Sequence, residues 1–128
     1  MYRSVIISIF LMLISFSSYS HEMTPTYPKF KDSFMDGLLV TEMEIFNKRR
    51  DVAYYEVGVF DKDFKAIPFV SSYTVYKVDY LQTVSVEIYV RRKDEPQITY
   101  ICSRSKILEQ RVSNTSIAST ICSKIRRN

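Results

Sequence analysis

Apolar and polar residues alternate most cleanly from Thr83 to Val90, where Val84, Val86, Ile88 and Val90 interleave with Thr83, Ser85, Glu87 and Tyr89. Successive side chains on a strand point to opposite faces, so this run predicts a strand with one buried side. The same period marks Leu38 to Phe69, LLVTEMEIFNKRRDVAYYEVGVFDKDFKAIPF. Leu39, Thr41, Met43 and Ile45 fall on one face of a first strand, and Tyr55, Val57 and Val59 share a face of a second. Between them lies the charged turn Asn47-Lys48-Arg49-Arg50-Asp51, and the two strands are expected to lie side by side as a sheet nucleus.

Weaker patterns fill in the rest. Tyr73 to Asp79 predicts a short strand with Thr74, Tyr76 and Val78 on one face. Arg91 to Pro96 is expected to be a hairpin loop, leading to a strand whose Ile98, Tyr100 and Cys102 point inward. His21 to Met35 carries Pro25 and Pro28, which suits an edge strand because proline lacks the ladder donor. Met23, Tyr27 and Phe30 are placed to cover one end of the fold, and Asp36-Gly37 makes a turn. The tail from Lys106 begins with the polar loop LEQRVSNTS and ends in SIASTICSKIRRN. Ile117, Ile121 and Ile125 recur every four residues, which fits one helix face, yet they also share a strand face. The strand is favoured, with Cys122 on the face opposite the isoleucines.

Arg3 followed by the apolar stretch Val5 to Ile14, with Ser18 and Ser20 before His21, reads as a secretory signal peptide over 1–20. Its apolar core is shorter than the ~20 residues that span a bilayer. Residues 21–128 are then the size of one domain. Ten tyrosines and eight phenylalanines, no tryptophan and two glycines leave aromatic and β-branched side chains on sheet surfaces to supply the core, so the class is all-β. The formal charge of +4 falls to about +3 without Arg3, with both signs interspersed, and favours no partner strongly.

Two cysteines in an exported chain point to a disulfide, and Cys102 and Cys122 are the pair available. Two buried thiols or an intermolecular bridge are the alternatives. Closing a loop of this length is worth about 3 kcal/mol.

A strand, an asparagine at its end, a polar turn and then YEVGVFDKDFKAIPF resemble the first, immunoglobulin-like domain of the PapD-like periplasmic pilus-assembly chaperones. QTVSVEIYV followed by TYICSRSKI, with its aromatic-x-Cys-x-Arg pattern, is similar to that family's next strands. The likeness runs from about Pro25 to Ile107, and the family has two such domains where this chain has room for one. It implies an immunoglobulin-like β-sandwich in the periplasm. It also implies that Cys102 and Cys122 join the last two strands, as in one subgroup of the family. The final strand would offer Ile117, Ile121 and Ile125 to a pilin-like subunit by strand addition, unless these isoleucines close the domain's own core. Lys31 and Lys124 are the nearest counterparts of the family's basic pair, which holds the subunit's terminal carboxylate.

Other chemistries find little support. The chain has one histidine, no glycine-rich phosphate loop, and no nucleophile with a matching base in a recognisable motif. Glu42/Glu44 and Asp61/Asp63 read as solvated carboxylates on a strand face and in a turn. A terminal His21 could chelate copper through its amine and ring, although such sites recruit further imidazoles; no metal and no cofactor is expected. The clusters Lys48-Arg49-Arg50, Arg91-Arg92-Lys93 and Arg126-Arg127 occupy turns and the terminus, so no nucleic-acid partner is expected. Asn114-Thr115-Ser116 matches a glycosylation pattern without consequence in the bacterial source that the resemblance implies. The expected function is an exported module that binds a partner subunit by edge-strand pairing, with a permanent accessory subunit of a pilus, secretion or conjugation apparatus as the alternative. An exposed edge also predicts self-association.

Overall fold

The computed structural model describes residues 20–107 and 118–127. The expected signal peptide up to residue 19, the LEQRVSNTS loop and Ile117 lie outside the described residues. Eight strands follow in order: β1 (His21–Thr24), β2 (Lys31–Asp32), β3 (Leu38–Asn47), β4 (Tyr54–Phe60), β5 (Val75–Lys77), β6 (Thr83–Arg91), β7 (Tyr100–Lys106) and β8 (Thr120–Lys124), with one 3-10 turn at Glu95–Gln97. They form two four-stranded antiparallel sheets around one core, so the all-β sandwich expectation holds.

In the first sheet β3 lies between β6 and an edge shared by β1 and β2. β1 pairs from His21 opposite Asn47 to Thr24 opposite Glu44, and β2 resumes with Lys31 opposite Val40. The cis Thr24-Pro25 bond and Pro28 fall in the gap, where no ladder donor is required. Met23 and Phe30 are buried as expected, while Tyr27 is exposed. The second sheet has the order β5-β4-β7-β8.

Two expectations about connections are corrected. β3 and β4 do not pair with each other; they lie in opposite sheets, and so do β6 and β7. Each strand has one apolar stripe. A hairpin would place both stripes on the same side and leave them needing another layer. Stacked across the core, Met43 and Ile45 of β3 and Tyr55, Val57 and Val59 of β4 instead help cover one another, and all five are buried. Each such aliphatic side chain contributes about 1.5–3 kcal/mol on leaving water.

Asn47 makes the crossing possible. Its Nδ2 donates to the carbonyls of Val52 and Val78 at 2.7 and 2.9 Å. Its Oδ1 accepts the Arg49 N–H at 2.8 Å and the Tyr55 hydroxyl at 2.5 Å. A buried side-chain amide thereby satisfies backbone groups of a loop that lacks a ladder of its own. The Arg49 guanidinium, itself buried, closes the turn by donating to Asp51 from Nε at 3.0 Å and Nη2 at 2.6 Å.

The inward face of β7 is a third correction. Ile101, Ser103 and Ser105 face the core, and Tyr100 and Arg104 share the outer face with Cys102. Ile98 is buried as expected, but it precedes the strand, just after the 3-10 turn, so its parity does not carry into β7. Further along, β6 buries Val86, Ile88 and Val90 of its predicted face and leaves Val84 half-buried, while β5 is shorter than expected, with Tyr76 and the following Val78 buried and Thr74 exposed.

Candidate functional site

β8 is the outer strand of the second sheet, and its register shows which backbone groups it leaves for others. Cys102 stands opposite Cys122 and Ser103 opposite Ile121. Ser105 N–H bonds the Ser119 carbonyl, and Ile125 N–H bonds the Thr99 carbonyl. Hydrogen-bonded pairs alternate along an antiparallel ladder, so Ile121 and Ser123 turn their N–H and C=O groups to β7. Thr120, Cys122 and Lys124 turn theirs away from the sheet. Arg126 has the same parity, and its N–H meets the Pro28 carbonyl at 2.8 Å. Among the described residues, no strand pairs with the edge from Thr120 to Lys124.

The expected disulfide is present: Cys102 and Cys122 are joined across a non-hydrogen-bonded pair, with Cα atoms 4.0 Å apart. The tail is a strand, and Cys122 lies on the face opposite the isoleucines, as its spacing suggested. Ile125 is only 6% exposed and belongs to the domain's own core, against which the half-buried Ile121 also packs. Lys124 is exposed on the outer face of β8, opposite Tyr100. Lys31, exposed on β2, lines a cleft with Lys29 and Arg126, and Lys124 is not among the residues lining it.

Sequence reasoning missed a buried polar cluster behind this edge. The His21 ring is 1% exposed and lies 4.4 Å, centroid to centroid, from Tyr55. Its Nε2–H points at the Ser103 carbonyl at 3.2 Å and the Ser103 hydroxyl at 2.8 Å, and its Nδ1 accepts the Ser119 hydroxyl at 3.1 Å. A carbonyl can only accept, which makes Nε2 the protonated nitrogen of a neutral imidazole. Burial, aided by the Arg49 charge, holds the His21 pKa below its ordinary value, although the Ser103 carbonyl opposes the shift. Burial likewise pushes the Tyr55 phenol up to about 12. No buried side-chain nitrogen or oxygen among the described residues lacks a partner. With both ring nitrogens engaged, His21 has no lone pair left for copper, and no group of three metal-ligating side chains occurs among the described residues. The signal for this cluster was the alternation of Ser103, Ser105, Ser119 and Ser123, small hydroxyls that fit a buried strand face when a polar partner meets them.

On its outer face the second sheet carries an aromatic group. The Phe64 ring stacks on Tyr100 at 4.5 Å with 3° between planes, and Phe60 stands 6.5 Å from Phe64. Phe60 folds over Gly58, where a Cβ would come within 2.7 Å of two of its ring atoms. Phe64 has φ +58°, a left-handed conformation uncommon for a bulky residue.

No helix among the described residues is long and apolar enough to cross a membrane. No protein-family model matches the chain, and no curated protein matches it.

Proposed function

We propose that this chain is an exported, immunoglobulin-like protein-binding module, akin to the first domain of the pilus-assembly chaperones, that takes up a partner's strand along the outer edge of β8. The observation that carries this reading is the row of ladder groups on Thr120, Cys122 and Lys124 facing away from the sheet. Such a row supplies main-chain hydrogen bonds to an added strand, and side chains set its register. The immunoglobulin-like part rests on the crossings of β3 to β4 and β6 to β7 between sheets, with β8 beside β7. An oxidising compartment such as the periplasm accords with the disulfide.

Proline substitution tests it. Proline removes one N–H and keeps strand-compatible φ. Thr120→Pro and Lys124→Pro delete outward donors only, so both variants should melt like the wild type and lose the envelope partner captured by the wild type in a pull-down. Ser123→Pro deletes a donor aimed at β7 and should lower the melting temperature. Retention of the partner by both outward variants would sink the edge reading.

Burial of Ile125 and partial burial of Ile121 favour a second reading, a permanent accessory subunit of an envelope apparatus. In that case the isoleucines serve the domain's own core and the partner never leaves. Chasing a labelled complex with excess unlabelled protein separates the two readings: a chaperone exchanges and a component does not.

A further inference from the structure

We propose that the cleft formed by β2, the 3-10 turn and the residues just after β8 binds a phosphate-bearing polyanion. The cleft has a volume of about 480 Å³, and the largely buried Phe30 and Leu39 contribute apolar surface to its lining. Around them stand five basic and two acidic side chains, an excess of three positive charges. On a chain whose formal charge is +4, that concentrates most of the imbalance in one place.

The seven charges are not equivalent. Arg92 is bonded to Asp32, and Arg127 reaches both the Glu95 carbonyl and its carboxylate. These acids orient two guanidinium groups on the cleft wall. Lys29, Lys31 and Arg126 line the same cleft and have no anionic partner among the described residues. Arg126 is held in place through its backbone, whose N–H meets the Pro28 carbonyl. Three unneutralised cations around one hollow repel one another, and an anion relieves that repulsion.

Charge selects the ligand class. One carboxylate would neutralise a third of the excess, whereas a phosphate monoester or a diphosphate brings two or three negative charges in one compact group. The donor set matches: Arg126 offers a planar fork for two phosphate oxygens, and the lysines offer mobile point charges that adapt to the rest. The cleft opens to solvent, which suits a phosphate carried on a larger molecule, either a lipid headgroup or a soluble phosphorylated compound. This site is separate from strand pairing, since the outward ladder groups end at Lys124 and the cleft begins at Arg126.

The test uses pyrophosphate in calorimetric titration and phosphatidic acid vesicles, whose headgroup is a phosphate monoester, in co-sedimentation, with net-neutral phosphatidylcholine vesicles as the comparison. Lys29→Gln/Lys31→Gln/Arg126→Gln is set against Lys62→Gln/Lys65→Gln/Lys77→Gln, which removes the same charge from exposed positions that do not line the cleft. The cleft variant should bind the productive probe about tenfold more weakly or worse, and the control should stay within about twofold of the wild type. Saturable pyrophosphate binding supports a soluble ligand, and binding to phosphatidic acid alone supports a headgroup. Equal weakening in both triple variants, or no binding of either probe by the wild type, overturns the proposal. Should the cleft variant melt early, Arg126→Gln alone makes the same comparison, with a loss of about threefold expected.

Discussion

The His21 imidazole accepts the hydroxyl of Ser119 at 3.1 Å, which ties the first strand to the residue just before the last across 98 positions of chain. Burial lowers the folded-state pKa below the ordinary 6.5. A base shifted this way adds stability that is complete above the unfolded value and is lost as the pH falls toward the folded one. The melting temperature should therefore drop as the pH falls below about 6.5. His21→Gln, which cannot titrate, should flatten this part of the profile at some cost in stability near neutrality. Thermal melts by circular dichroism at closely spaced pH values check this, and parallel profiles would move the proton to another group.

Asn47 should be among the most sensitive positions in the chain. Alanine there leaves the Val52 and Val78 carbonyls, the Arg49 N–H and the Tyr55 hydroxyl without their partner. Each buried orphan costs roughly 1–3 kcal/mol, so Asn47→Ala should lose at least about 3 kcal/mol in urea unfolding. Tyr55→Phe, which removes one of these bonds and leaves the Asn47 oxygen its bond from Arg49, should lose about 1–2 kcal/mol.

Replacing Cys102 and Cys122 together by serine opens a loop spanning 20 positions. The regained chain entropy should lower stability by about 3 kcal/mol. Denaturant unfolding of the double variant, beside wild type with and without reductant, measures it. The reduced wild type and the variant should agree closely.

Phe64 combines a backbone cost with a side-chain gain. The left-handed conformation costs about 1–2 kcal/mol for an L-residue, and stacking on Tyr100 returns about 0.5–1.5 kcal/mol. Phe64→Gly removes both terms and should change stability by less than about 1 kcal/mol. Phe64→Val loses the stack and places a β-branched residue at φ +58°, so it should cost about 2 kcal/mol. Matched thermal melts of the two variants measure the balance between strain and stacking.

The individual strands were legible because their periods are local. Val84 to Val90 and Leu39 to Ile45 alternate as half-buried strands must, and the structure buries the predicted face of each apart from Val84, which is half-buried. Pairing was less legible. A hairpin and a crossing between sheets place the same alternation on adjacent strands, and the deciding signal was one polar side chain, Asn47, that looked like an ordinary turn residue. The inner face of β7 was misread for a related reason. Ser103 and Ser105 count as outward by polarity, yet His21 and the Ser119 backbone give them buried partners. The cleft could not be read from the chain at all, because Lys29, Lys31, Arg92 and Arg126 come together only when β2, the end of β6 and the residues after β8 converge.

The cross-link between β7 and β8 also decides how the outer strand responds to force. A strand drawn along the free edge loads β8 in shear, and Cys122 passes that load by covalent bond to Cys102, one strand further into the sheet. Peeling β8 away from β7 is thereby blocked at the middle of its five residues. Under the proposed strand addition the weakest joint would be the added ladder itself, and a tethered partner would slip off before the domain unravels.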